Sequence, residues 1–359
     1  MKRGWMAPLA LSLLLTGCSG LPAAREMGDM ALLRTMGIDA AANGVAVTGS
    51  TGPRAKGLQA EDEPALILSA DRESLSGACL AMQGQSDSYV FFGYVDQLLL
   101  GQELAERGVQ PVLDYFSRDA ELGLGAQLWL VRGAAAREAV SSGGDKGVDS
   151  RLETLQTDSD MGIASITRTA GEVYTDLLEL GSAFVPALSP AGDETAVLTE
   201  RGYGVLNGDR LVGFLDGEAA KGLELLAGGP SADVLEAELA QNRVSVKVVS
   251  ASTKSELEVQ GGVLSGLKLT CRVEARLSEY QRHPDEAAVQ ALKTGLEQRE
   301  RLRLEAALER LQELGTDCTG LGARAGIARP ALWQRVQRDW ADRFAELPVE
   351  LQVQVTVHK

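Results

Sequence analysis

Three stretches near the C-terminus alternate strictly between apolar and polar residues. Val244, Val246 and Val248 alternate with Ser245 and Lys247. Leu267, Leu269, Cys271, Val273, Ala275 and Leu277 alternate with Lys268, Thr270, Arg272, Glu274 and Arg276. Val349, Leu351, Val353, Val355 and Val357 alternate with Glu350, Gln352, Gln354, Thr356 and His358. A two-residue period gives each strand one dry and one wet face, the signature of an antiparallel sheet covered on one side. Between the second and third lies a helical pattern, Asp285 to Leu314, with an apolar stripe of Val289, Leu292, Leu296, Leu304, Leu308 and Leu311 and a stop at Gly315. A second helix opens at Pro330 and aligns Trp333, Val336, Trp340 and Phe344. The pattern predicts a sheet with both helices on its dry face.

Upstream the signals are more mixed. Ala31–Ile38, Val45–Thr48, Ala65–Ser69 and Gln127–Val131 read as strands, and Arg72–Met82 and Val95–Arg107 as helices, the latter stopped by Gly108. Gly49–Asp62 and Ser141–Gly147 are polar connectors. Composition changes around Pro186 and Pro190, and Glu194–Leu215 reads as a small β unit. In it Asn207-Gly208 separates Tyr203–Leu206 from Arg210–Phe214, a tight-hairpin pair that tolerates positive φ. Glu218–Leu226 is a short helix ended by Gly228-Gly229. The expected fold class is α+β, with more than one domain. The expected division is 1–17 as a cleaved signal, 18–188 as an N-terminal domain, 189–240 as a small middle domain and 241–359 as the sheet-and-helix domain.

The first residues change the picture. Lys2 and Arg3 precede a short apolar core, Ala7–Leu15, too short for the ~20 apolar residues of a spanning helix. Leu15-Thr16-Gly17-Cys18 matches the lipobox of bacterial lipoprotein precursors, in which the Cys sulfur takes a diacylglycerol and the preceding peptide bond is cut. Cys18 is thus the expected lipidation site and first mature residue, and two acyl chains suffice for stable anchoring. No later stretch approaches spanning length, so the body is expected to sit on the extracytoplasmic face of a membrane.

The 359 residues carry 35 Lys+Arg against 50 Asp+Glu, formally −15. Losing Lys2 and Arg3 with the signal leaves 33 against 50, or −17. Such acidity argues against nucleic acid as a partner and against electrostatic docking on anionic lipid. Lipidation of Cys18 leaves Cys79, Cys271 and Cys318, without metal-like spacing; whether two of them pair is open. Cys271, on the apolar side of a strand, reads as a small buried hydrophobe.

Nothing forms a catalytic set, so no catalytic residue, cofactor or metal ligand is assigned. His283 and His358 read as a loop and a chain-end histidine. Leu-Gly-Leu-Gly at 122–125 and Gly320-Leu321-Gly322 lack the full dinucleotide spacing and read as turns. Arg299, Arg301, Arg303 and Arg310, interleaved with Glu297, Glu300, Glu305 and Glu309, read as a solvated helix face. Arg118, Asp119 and Glu121 read as solvated charges at a helix end, and Trp333 and Trp340 as core anchors rather than a stacking platform.

The order of several features resembles the C-subunit lipoproteins of spore germinant receptors, the GerAC or Ger(x)C family. They are Arg25-Glu26 before Met30–Met36 and Gly37-Ile38-Asp39; Val112–Asp119; Glu194–Leu198 leading to Asp209–Leu215, Glu218, Gly222, Leu225 and Leu226; then Asp317, Gly320-Leu321-Gly322, Pro330, Trp333, Trp340 and Val349–Val357. The sequence departs from the family at Ser19-Gly20-Leu21, where an aromatic-acidic pair is usual, and in ending at His358-Lys359 without a charged-glycine tail. The resemblance implies three mixed α/β domains, no enzymatic activity and a place in a complex with two integral membrane subunits in the inner membrane of the spore. That complex starts germination in response to nutrients, and an integral transporter-like subunit is the better candidate for holding the nutrient. The competing expectation is a solute-binding lipoprotein of an uptake system, which would need two similar α/β lobes.

Overall fold

The structure is a computed structural model that describes residues 30–53, 63–162, 164–191, 197–229, 233–239, 242–280 and 284–358. Cys18, His283 and most of the connector expected at 49–62 lie outside them.

An eight-stranded sheet organises the first two thirds of the chain, in the order β4-β3-β2-β6-β7-β8-β9-β10. Its centre is parallel: β2 (Thr35–Ala41), β6 (Gln97–Gly101), β7 (Gln127–Val131) and β8 (Ser182–Ala191). Antiparallel strands flank it, β3 (Gly44–Ser50) and β4 (Ile67–Arg72) on one side and β9 (Val197–Asn207) and β10 (Arg210–Leu215) on the other. A small parallel pair, β1 (Met30–Leu32) with β5 (Tyr89–Phe91), stands apart, so the strand expected over Ala31–Ile38 is broken at Leu33-Arg34.

Helices cover both faces. α1 (Leu75–Gln83), α2 (Gln102–Arg107), α3 (Gln110–Arg118) and α6 (Ala170–Leu180) enclose one core with Met36, Ile38, Leu98, Leu100, Leu128 and Leu130. α4 (Ala136–Ser141) and α5 (Asp149–Asp160) enclose a second around Leu99, Trp129, Val131 and Leu188. Helix starts are fixed locally: the Ser74 hydroxyl accepts from Gly77 N at 3.2 Å before α1. Thr169 and Glu172 form a reciprocal capping box before α6.

The helix expected over Val95–Arg107 is instead β6 followed by α2. Leu98, Leu99 and Leu100 are each fully buried, one core on either side. A strand covered on both faces reads as an unbroken apolar run, which periodicity cannot distinguish from a buried helix. The boundary expected at 188/189 falls inside β8, and the strands expected in a separate middle unit extend the large sheet. The hairpin forms one residue later than expected: Asn207 pairs with Arg210, leaving Gly208 (φ +58°) and Asp209 in the turn.

The last third forms a four-stranded sheet, β11 (Val234–Leu239), β12 (Asn242–Gln260), β13 (Val263–Tyr280) and β14 (Val349–His358), in that order. β11 to β13 are antiparallel, but β14 pairs with β13 in parallel, Leu267 opposite Val349. The intervening helices carry the chain back to the start of β13, and such a crossover permits a parallel neighbour. They are α8 (Glu286–Glu313), α9 (Leu321–Gly326), α10 (Pro330–Val336) and α11 (Trp340–Glu346), so the helix expected from Pro330 is two, with a 3₁₀ turn over Gln337–Asp339 between. α7 (Gly217–Ala227) joins the two sheets: its Leu223, Leu225 and Leu226 share a core with Phe184, Tyr203 and Val205 of the large sheet and with Leu269, Cys271, Leu296 and Leu304 of the last third.

Candidate functional site

Residues that are scattered in the sequence converge where α8 ends. The chain turns at Gly315 and buries Asp317, whose carboxylate accepts from Leu321 N (2.8 Å), Gly322 N (2.8 Å) and the Trp340 indole N–H (2.9 Å). Three donors on one carboxylate are charge-assisted bonds. They tie the first turn of α9 to α11 and engage both oxygens, so Asp317 acts as a latch. Gly322 makes the arrangement possible, since a Cβ there would stand 2.2 Å from the Trp340 ring. Trp333 packs edge-on against Trp340 with centroids 5.2 Å apart, and a Cβ at Gly326 would meet it at 2.4 Å. The Gly320-Leu321-Gly322 run is therefore a helix start shaped for an indole, not only a turn.

The hub also holds the large sheet. Ser182 Oγ donates to the Asp317 carbonyl at 3.1 Å, from the first residue of β8. A cleft of about 380 Å³ lies along this junction, lined by Leu180, Asn207, Asp317, Trp333, Arg338 and Trp340. On the far side of α9, Arg324 Nη2 donates to the Leu226 carbonyl at 2.7 Å, closing the end of α7.

A second constellation corrects the reading of the arginine-rich helix. Glu300 and Arg303 are buried, at 1% and 8% exposure, where α8 crosses α7. Arg303 donates from Nε to Glu218 (2.7 Å) and pairs through Nη1 with Asp233 (2.5 Å) and Glu300 (3.3 Å), while Arg299 reaches Glu300 at 2.7 Å. Burial alone would raise the Asp233 carboxyl, but the hydrogen bond and charge of Arg303 outweigh it and hold it below the usual range. Gly222 permits the crossing, because a Cβ there would fall 1.9 Å from the Arg303 carbonyl oxygen. Nearby, the Tyr203 hydroxyl donates to buried Glu224 at 2.8 Å and accepts from Ile166 N at 2.7 Å. Charges three and four apart share a helix face whether water or a second helix meets it, so spacing alone could not reveal this burial. What could have is the small residue, Gly222, on the partner helix.

The remaining candidates are local. Asp119 Oδ1 accepts from Glu121 N (2.9 Å) and Leu122 N (3.0 Å), and Glu121 accepts from the Tyr89 hydroxyl at 2.9 Å. His358 is exposed, 3.7 Å from Glu274 on the neighbouring strand. Cys79, Cys271 and Cys318 are free thiols; burial pushes Cys79 up to about 11 and raises the other two, leaving them protonated and weakly nucleophilic. Among the described residues, no cluster of His, Cys, Asp or Glu is arranged to hold a metal, and no helix is long and apolar enough to cross a membrane.

The family described as spore germination B3/GerAC like, C-terminal, matches residues 201–359. The family described as spore germination protein N-terminal domain matches residues 23–190. The chain belongs to the spore germination GerAC-like family. Its fold is similar to the crystal structure of the GerBC protein, with a TM-score of 0.61 at 18% identity over 90% of this chain and 97% of that one. No curated protein sequence matches it. Within the GerAC-like chain, the charge cluster lies wholly in the C-terminal family region, whereas the hub ties that region through Ser182 to a strand of the N-terminal one.

Proposed function

We propose that this GerAC-like chain is the lipid-anchored C-type subunit of a spore germinant receptor, acting through protein contacts rather than catalysis. The observation that carries the reading is the pair of family matches, which together run from residue 23 to residue 359 with a short gap. The lipobox ending at Cys18 supports an anchor on the extracytoplasmic face of the inner spore membrane, and the family supports assembly with two integral membrane subunits. Fixing a folded body to one surface raises its effective concentration near membrane partners. The polar groups of the hub and of the charge cluster are engaged within the fold, which accords with a structural role for both. Nutrient recognition then belongs to an integral subunit. The test is affinity purification of the tagged chain from detergent-solubilised spore membranes. Two multi-spanning proteins should co-purify; a lone chain carrying a small molecule would instead identify a solute-binding lipoprotein.

A further inference from the structure

β14 ends the four-stranded sheet, and its pairing with β13 determines which backbone groups remain outside. Leu267 N donates to the Pro348 carbonyl at 2.9 Å, so in this parallel register the even-numbered residues of β14 bond to β13. The odd-numbered ones, Val349 to Val357, point their N–H and C=O groups away. Side chains of α8 occupy part of that edge: Arg301 Nη1 donates to the Leu351 carbonyl at 2.9 Å, and Glu297 accepts from Val355 N at 3.3 Å. They stand where a neighbouring strand would bond, a common way to guard an edge. Nothing in the described chain engages the Val349 N–H and C=O or the Leu351 N–H.

That unguarded half borders an open groove of about 560 Å³ between α8 and the start of β14. Its floor is apolar, with Leu308, Leu347, Val349 and Leu351, and its wall carries Glu305, Glu309 and Glu313 without a basic residue. Glu313 pairs with Arg310 at 2.8 Å, whereas Glu305 and Glu309 take part in none of the ion pairs of the described residues. We infer that this groove takes a short extended segment of a partner polypeptide, added beside β14 as a fifth strand and carrying Lys or Arg at alternate positions. Main-chain bonds to Val349 and Leu351 would supply the pairing, and alternate side chains the selectivity. A basic side chain suits the groove because its aliphatic stem covers Leu347 and Leu351 while its charge reaches Glu305 and Glu309. A second copy of this chain fits less well, since β14 has no Lys or Arg between Val349 and Val357 to meet those acids.

The inference deepens the receptor reading by naming a contact surface. The test uses the full chain in detergent and a fluorescent eight-residue peptide of alternating Lys and Thr. Anisotropy should report saturable binding. Methylating the peptide's alternate backbone nitrogens, or changing Glu305 and Glu309 together to Lys, should weaken it at least about ten-fold. Both glutamates are exposed, so the variant keeps its fold. No binding, binding indifferent to N-methylation, or sedimentation showing a dimer that excludes the peptide would each overturn the inference. Spores lacking the chain report separately on the receptor reading, which stands or falls on their nutrient response whatever the peptide does.

Discussion

The two sheets of this protein are built on opposite plans. The large sheet is parallel at its centre and covered there on both faces, so Leu98–Leu100 and Leu128–Val131 are continuous apolar runs. The C-terminal sheet is covered on one face only; Lys268, Arg272, Glu274, Arg276 and Glu350 stand on the other, and β14 leaves an edge. A sheet covered on both faces at its centre is a scaffold, and a singly covered sheet presents a surface. On the proposed reading, partner contacts belong to the last third of the chain and mechanical support to the first two thirds. α7 and the Asp317 latch couple the two, and the Arg303 cluster fastens α7 to α8.

Cutting the chain between the two regions should have the largest effect. A chain ending at Leu188 truncates β8 and removes β9, β10 and α7, so it should show no cooperative thermal transition by circular dichroism. A cooperative melt from that fragment would make the first section an independent domain and the large sheet dispensable. Trp340→Ala empties the hub and should cost about 3–5 kcal/mol in denaturant unfolding. A midpoint that barely moves would mean that the hub does not hold the last third. Arg303→Met leaves Glu300 buried with Arg299 alone and should cost about 3 kcal/mol, the scale of breaking a buried ion pair. Gly222→Ala tests the same crossing without touching a charge and should cost about 1–3 kcal/mol, as an overpacked core does.

The smallest effect sharpens the electrostatics. Asp233 has its carboxyl held below the ordinary 3.8, so its contribution is full above that value and is lost as pH falls through the lower folded one. Asp233→Asn should therefore cost about 1–2 kcal/mol near neutral pH and progressively less below about pH 4. An equal cost at both ends of that range would remove the charge from the account.

The same contrast explains what could be read in advance. The half-buried strands β13 and β14 and the stripe of α8 were legible, because one wet face imposes a period that residues such as Lys268 and Gln352 report. β6 was not, because two dry faces erase the period and leave Leu98-Leu99-Leu100 looking like a helix. Among the pieces of the hub, Asp317, Gly322, Trp333 and Trp340 were visible one by one. Their convergence was hidden, since it depends on one indole lying across a helix at the place where only glycine fits. The direction of β14 was hidden too, because alternation records a face and not a neighbour. Buried Glu300 and Arg303 looked solvated for want of any local sign that α7 would cover them.

If this GerAC-like chain is a membrane-anchored receptor subunit, as proposed, its loss must silence a nutrient response. Spores carrying a deletion of the chain, complemented with either the native sequence or Cys18→Ala, would be followed by loss of refractility after exposure to nutrient mixtures and to a trigger that bypasses receptors. The native sequence should restore a nutrient response that the deletion abolishes, Cys18→Ala should restore it poorly, and all strains should answer the bypass alike. Deletion spores that germinate normally with every nutrient mixture would contradict it.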